Sequence, residues 1–238
     1  MKGNISVVVL AASIAGLALW SRPAQAHITV ISGPAFANGT QEVTFGVAHG
    51  CSGVDTSSVR LEIPAAVTSV RAEHSDFGAV SVETDATGVV TAVDWQKPDS
   101  DLLASDVAYY KLVVRIKIPN APFTTLYFRA HQTCKTSAGA TSTVDWVGLP
   151  TDPVVDGGTA AEPAPALVIV PARQPGWNNF TVPVAVSSLS TYFPDALIVW
   201  KDSAAYSVNM ATTSLIAATP GASALSSLAA NDQIWVRY

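Results

Sequence analysis

The sequence contains little sulfur and little charge. Of its 238 residues, two are cysteine and two are methionine, and 13% carry a charge, about half of the usual share of roughly 25%. The net charge is -5 and no basic cluster is present, so nucleic acid is not an expected partner. Met210 is the only methionine beyond the first residue. This scarcity of thioether ligands disfavours blue-copper centres and methionine-rich Cu(I) stores.

The sequence also lacks the short motifs of several enzyme classes. It contains no P-loop, no dinucleotide fingerprint, no recognisable Ser-His-Asp arrangement and no motif of paired catalytic carboxylates. Hydrolase and transferase functions are therefore disfavoured, and we expect a binding protein more than an enzyme.

The first 26 residues have the pattern of a secretory signal peptide. Lys2 precedes an uncharged, mostly apolar run from Ile5 to Trp20, and "SRPAQA" ends in an A-x-A cleavage pattern. The apolar run is shorter than the about 20 residues of a membrane span, although a retained anchor is the alternative. We therefore predict a mature chain that begins at His27, is periplasmic or secreted, and has no membrane span after cleavage.

The two cysteines, Cys51 in "HGCSG" and Cys134 in "HQTCKTS", are predicted to form one disulfide. An exported chain meets oxidising conditions, in which thiols pair. The alternative is a pair of free thiols that bind a metal, which would require a reducing compartment.

Short runs with alternating or β-branched apolar residues recur between turn residues, as in "QEVTFGVAHG", "SSVRLEIP" and "YYKLVVRIKIP". Such runs are typical of the strands of a β-sandwich. In the clearest one, Leu112, Val114, Ile116 and Ile118 share one face. The composition shifts to Pro, Gly and Ala after Thr151 and is interrupted by "ALVIV". We predict an all-β sandwich over residues 27–171 and a small β-rich, or α+β, appendage of unknown role over 172–238.

Several separated motifs resemble the YcnI-like copper-binding family of exported bacterial proteins. They are the start "HITV", "VAHGCSG" followed by "VRLEIP", the "YYKLVVRIKIP" strand, "TTLYFRAHQTC", the following "VDW" and "EPAPALVIV". The resemblance covers residues 27–170 in the same order and includes both cysteines. It implies an immunoglobulin-like or fibronectin-like β-sandwich that binds Cu(II).

The resemblance also implies a site, a single-histidine brace at the mature N-terminus with a tryptophan nearby. These roles fall on His27 and on Trp146 of "VDWVG". In some members a glutamate motif stands where this chain has "HGC", and its carboxylate helps to hold the metal. His49 is the natural substitute here, or it is a strand-end residue without that role. The expected partners are the copper ion and a periplasmic copper chaperone or a membrane copper transporter.

The chemistry of an N-terminal histidine agrees with this expectation. Its α-amine and Nδ1 can chelate one metal ion once both are deprotonated. Nitrogen-rich tetragonal sites favour Cu(II), and zinc is the alternative metal. Trp146 could equally be a core residue, as we expect for Trp95.

The remaining histidines have less specific contexts. His74 lies in a polar loop segment, and His131 lies on the opposite side of its strand from Cys134, where it faces the metal site or solvent.

Two functions compete with copper holding, delivery or homeostasis. One is a copper-dependent polysaccharide monooxygenase, which normally has a second histidine and a tyrosine or phenylalanine. The other is a carbohydrate-binding or protein-binding module with an incidental metal. Aromatic residues after residue 176 could stack on sugar rings, although we expect them to anchor a small core.

Overall fold

The computed structural model describes residues 27–152 and 162–238. The predicted signal peptide, residues 1–26, lies outside them. The described part has 18 strands, a 3-10 helix at Asp99–Asp101 and two α-helices. Their bounds are β1 (Ile28–Val30), β2 (Ala35–Phe36), β3 (Thr40–Val47), β4 (Thr56–Glu62), β5 (Thr68–Ala72), β6 (Ala79–Thr84), β7 (Val90–Gln96), β8 (Tyr110–Lys117), β9 (Thr124–Tyr127), β10 (Ala130–Lys135), β11 (Thr141–Gly148), β12 (Glu162–Pro163), β13 (Ala166–Val170), β14 (Trp177–Thr181), α1 (Leu189–Tyr192), β15 (Ile198–Lys201), β16 (Ala204–Tyr206), α2 (Met210–Ala218), β17 (Ser223–Ala224) and β18 (Gln233–Arg237).

The predicted all-β sandwich is confirmed. A four-stranded sheet, in the order β1-β3-β8-β5, faces a six-stranded sheet, in the order β12-β11-β10-β4-β7-β6. The apolar residues between the two sheets form one buried cluster, in which the rings of Phe45 and Phe128 meet edge to face at 5.1 Å. A short third sheet, β2-β13-β9, adds to the same core.

The alternation predicted for β8 is also confirmed. Leu112, Val114 and Ile116 are buried, whereas Lys111 and Arg115 are exposed. Because successive side chains of a strand point to opposite faces, this pattern fixes which face of the central strand meets the other sheet.

The C-terminal part has its own five-stranded sheet, in the order β14-β18-β15-β16-β17, and a second buried apolar cluster. That cluster takes in Phe123 from the connection between β8 and β9. Its ring lies 5.8 Å from that of Phe193 and 5.5 Å from that of Tyr192. Neither α-helix of the described part has the length and apolarity needed to cross a membrane.

The predicted disulfide is present between Cys51 and Cys134, whose Cα atoms are 5.8 Å apart. Both cysteines are buried. The bond joins the connection between β3 and β4 to strand β10 of the six-stranded sheet.

A buried polar network links the two sheets. The Asp55 carboxylate accepts hydrogen bonds from Lys97 Nζ at 2.7 Å, from the Tyr110 hydroxyl at 2.6 Å and from the Leu103 amide at 2.9 Å. Burial raises the pKa of Asp55, but these bonds and the charge of Lys97 outweigh it, so the pKa lies below its ordinary value. Asp55 therefore stays ionised and paired in the core near neutral pH.

Candidate metal centre

His27 directly precedes β1, the edge strand of the four-stranded sheet. Strand β1 pairs antiparallel with β3, with Ile28 opposite Val47. This pairing holds the start of the described chain against the sandwich. The side chain of His27 is 35% exposed, so one part of the ring is open to solvent while another packs on the protein.

The edge of the other sheet supplies the neighbours of His27. Strands β11 and β12 pair in parallel, with Trp146 opposite Glu162. Trp146 is buried, and its ring meets the imidazole of His27 edge to face, with centroids 5.2 Å apart and planes at 82°. The structure thus brings together His27 and Trp146, the pair that the resemblance implied.

A carboxylate completes this cluster, which we call the His27 cluster (His27, Trp146 and Glu162). Glu162 Oε2 lies 3.8 Å from His27 Nδ1. That nitrogen is shielded from solvent and has no hydrogen-bond partner among residues 27–152 and 162–238. A buried nitrogen without a partner is costly, whereas a cation between an imidazole nitrogen and a carboxylate would satisfy both. These donors therefore fit a metal ion.

Gln132 fixes the orientation of the indole. The Trp146 Nε1 donates to Gln132 Oε1 at 3.1 Å. The Gln132 amide nitrogen donates to the His49 carbonyl at 2.8 Å and to Thr56 Oγ1 at 2.7 Å. All polar atoms of this buried amide are therefore used, and the indole N–H is already occupied. Trp146 can position the imidazole by packing, and its N–H is directed at Gln132.

His49 is connected to this region through its main chain. Its ring Nδ1 lies 2.8 Å from the Gly50 carbonyl and 4.0 Å from Asp106 Oδ2. Its carbonyl meets Gln132, which in turn holds Trp146. The role of His49 as a ligand stays a prediction.

Sequence reasoning did not single out Glu162 or Gln132. Glu162 reaches the cluster because β12 pairs with β11, and the two strands are separated in sequence by the segment that contains residues 153–161. The available signal was the lone acidic residue at the start of "EPAPALVIV". Within the described residues, no group of three or more His, Cys, Asp or Glu side chains is arranged to hold a metal ion.

His131 lies on the outer face of the six-stranded sheet, between two carboxylates. Its Nδ1 is 2.7 Å from Asp145 Oδ1 and its Nε2 is 3.2 Å from Glu62 Oε1. Partial burial is the largest influence and lowers the pKa of His131. The hydrogen bonds and charges of the two carboxylates together outweigh it, so the pKa lies above its ordinary value of 6.5.

We expect Asp145→Asn to lower the pKa of His131, because it removes the nearer carboxylate. Histidine-detected NMR titration of the wild type and the variant measures this change. Asp94→Asn is a matched control, because it removes a carboxylate of the same sheet that bonds Arg60 instead. The pKa of His131 is higher in the folded protein than its ordinary value of about 6.5, so protonated His131 stabilises the fold when the pH is below 6.5. This stabilisation is lost as the pH rises through the folded-state pKa. An unchanged His131 titration in Asp145→Asn would show that the contact is not formed in solution.

The protein is a disulfide-linked β-sandwich with an imidazole, an indole and a carboxylate gathered at its first strand. The chain belongs to the family described as a domain of unknown function (DUF1775), which is the YcnI-like family, and the family model matches residues 27–169. A crystal structure of an uncharacterized protein from Nocardia farcinica, described as an immunoglobulin-like fold, is similar at 25% identity. The match covers 60% of this chain and 97% of that chain, with a TM-score of 0.49. No curated protein matches this chain.

Proposed function

We propose that the processed protein binds Cu(II) at the His27 cluster and holds or delivers copper in the bacterial cell envelope. The observation that carries this proposal is His27 Nδ1, which is buried, has no hydrogen-bond partner in the described part of the chain, and lies 3.8 Å from Glu162 beside Trp146. The family match begins at the same residue. The disulfide supports an oxidising compartment, and so the periplasm or the exterior.

Removal of residues 1–26 would give His27 a free α-amine next to its imidazole. The amine and Nδ1 then form a two-nitrogen chelate, and Glu162 supplies an anionic oxygen. This mixed nitrogen and oxygen set suits Cu(II) better than zinc by the general order of affinities. The carboxylate also offsets the charge of the cation. Trp146 packs against the imidazole and restricts its rotation, while Gln132 holds the indole.

The partial exposure of His27 and Glu162, at 35% and 26%, favours a site from which the ion can be transferred. A periplasmic copper chaperone or a membrane copper transporter is the expected exchange partner.

A copper-dependent polysaccharide monooxygenase would normally place a second histidine and a tyrosine or phenylalanine at the metal. Here the ring beside His27 is an indole, which favours copper holding or delivery over oxidation.

We expect the processed protein to bind one Cu(II), and Glu162→Gln to weaken that binding by roughly tenfold, as loss of a supporting carboxylate commonly does. Competition against a chromophoric copper chelator measures the affinity, and EPR reports the ligand set. Glu42→Gln is the matched control, because Glu42 is exposed on β3 and pairs in register with Arg115.

Three results would contradict this proposal or part of it. Failure of the processed wild type to bind Cu(II) would refute the copper site. Tighter binding of zinc than of Cu(II) would refute the choice of metal. Equal copper binding by wild type and Glu162→Gln would remove the carboxylate from the ligand set and leave His49 as the candidate third group.

A further inference from the structure

The outer surface of the C-terminal sheet carries three tryptophans on three adjacent strands. Trp177 lies on β14, Trp235 on β18 and Trp200 on β15. Trp235 and Trp200 are directly opposite each other in register, and Trp177 is opposite Arg237. With Ile198 and Arg237 these residues line an open groove of about 690 Å³. We call this surface the tryptophan face.

These indoles do not anchor the core of the C-terminal part, contrary to our expectation for its tryptophans. The inward positions of the sheet are occupied by residues such as Val199, Ile234 and Val236, which are fully buried. Trp177 and Trp235 are 53% and 52% exposed. Large exposed apolar side chains gathered in one patch are typical of a surface that binds a ligand, another protein or a membrane.

The faces of the indoles are also unused within the described residues. None of the three rings stacks on another aromatic ring or lies under a cation there. Trp200 is oriented by a hydrogen bond from its Nε1 to the Asp202 carbonyl at 2.6 Å. Neighbouring strands are about 4.8 Å apart, so three strands present indoles over roughly 10 Å.

The groups around the indoles are mostly neutral hydrogen-bonding side chains. Asn179, Thr181 and Gln233 occupy outward positions of β14 and β18, and Gln233 Nε2 donates to Thr181 Oγ1 at 2.7 Å. Asn179 is tied to the Ile234 carbonyl at 3.1 Å. Arg237 is the only charged residue at the outward positions of β14, β15 and β18.

This combination matches the chemistry of a sugar chain. A pyranose ring has an apolar C–H face that can stack on an indole, and its rim of hydroxyls can bond with amides, hydroxyls and a guanidinium. The charge pattern disfavours a second copy of the chain. A two-fold symmetric interface uses the same patch on both subunits, so it would bring two arginines to one surface with no outward carboxylate on these strands to pair with them.

We propose that the tryptophan face binds a glycan chain. The indoles of Trp177 and Trp235 stack on sugar rings, and Arg237 donates hydrogen bonds to hydroxyls or to a carboxylate of the chain. This inference is independent of copper binding, since the face and the His27 cluster share no residue.

Co-sedimentation of the full-length processed protein with insoluble cellulose, chitin and purified peptidoglycan tests the proposal. We expect the wild type to bind at least one polymer, and Trp177→Ala with Trp235→Ala to weaken binding by roughly tenfold or more, as truncation of tryptophan anchors commonly does. Tyr109→Ala is the matched control, because Tyr109 is an aromatic residue with 51% exposure outside the face. Far-ultraviolet circular dichroism verifies folding, and Trp177→Tyr with Trp235→Tyr should retain part of the binding.

The results distinguish a neutral glycan from an acidic one, and glycan binding from self-association of the chain. Binding to cellulose or chitin indicates a neutral chain, and binding to peptidoglycan alone indicates an acidic one in which Arg237→Gln should also weaken binding. Failure to bind any of the three polymers overturns the proposal. Equal binding by the double alanine variant also overturns it, since the glycan would then bind elsewhere. A wild-type dimer that the double variant converts to a monomer, in sedimentation velocity, would instead assign the face to self-association.

Discussion

Replacement of His27 with alanine is expected to weaken Cu(II) binding by the processed protein by roughly a hundredfold or more. The substitution removes the imidazole, and with it the Nδ1 that lies 3.8 Å from Glu162 Oε2. Only the α-amine and the Glu162 carboxylate would then remain, and the chelate ring between the α-amine and Nδ1 would be lost. Removal of a group that merely supports a ligand commonly costs 10-fold to 100-fold in affinity, so removal of the ligand itself should cost at least as much.

His74→Ala is the matched control for this experiment, because His74 is exposed and is not a member of the His27 cluster. The same chelator competition measures both variants, and the melting temperature should change little for either. An unchanged copper affinity of His27→Ala would contradict the proposed site. His49→Ala should weaken binding more modestly if its ring contributes a ligand, and Trp146→Phe should alter the EPR spectrum without abolishing binding.

Loss of the Cys51–Cys134 bond is expected to lower the free energy of unfolding by about 4 kcal/mol. The two cysteines are 83 positions apart, and closing a loop of that length restricts the unfolded chain by this amount in the chain-entropy model. The double alanine variant, Cys51→Ala with Cys134→Ala, should therefore unfold at a much lower denaturant concentration than the oxidised wild type. Copper stoichiometry should be unchanged, because neither sulfur belongs to the proposed ligand set.

Equilibrium denaturation followed by fluorescence measures this loss. Reductant should lower the midpoint of the wild type and leave that of the double alanine variant in place, which separates the bond from any general effect of the reagent. If reduction does not move the wild-type midpoint, the disulfide does not stabilise the fold. A change in the denaturant dependence itself would point to an effect on the unfolded state.

The sandwich could be predicted from local pattern because its central strands alternate. The spacing of Leu112, Val114 and Ile116 requires a strand with one buried face, and the structure has that strand. The C-terminal tryptophans show the limit of such reasoning. "QIWVRY" alternates as clearly as β8, but the pattern does not say which of its two faces meets a core. Ile234 and Val236 face inward, and Trp235 faces outward.

The candidate site could be predicted only in part. His27 followed from the cleavage pattern, and Trp146 followed from the family resemblance. Glu162 could not be found in this way, because its proximity to His27 depends on the parallel pairing of β12 with β11. The buried Asp55 network likewise joins positions 42 and 55 residues apart. Neither long-range arrangement leaves a periodic signal in the sequence.

We propose that the α-amine and the imidazole of His27 bind one Cu(II) together. The most direct test compares the copper affinity and EPR spectrum of the processed protein with those of a protein that carries one extra residue ahead of His27. The extension leaves every side chain in place and converts the α-amine into a peptide nitrogen. We predict that it weakens Cu(II) binding by orders of magnitude and changes the spectrum. Equal affinity with an identical spectrum would show that the α-amine of His27 is not a copper ligand.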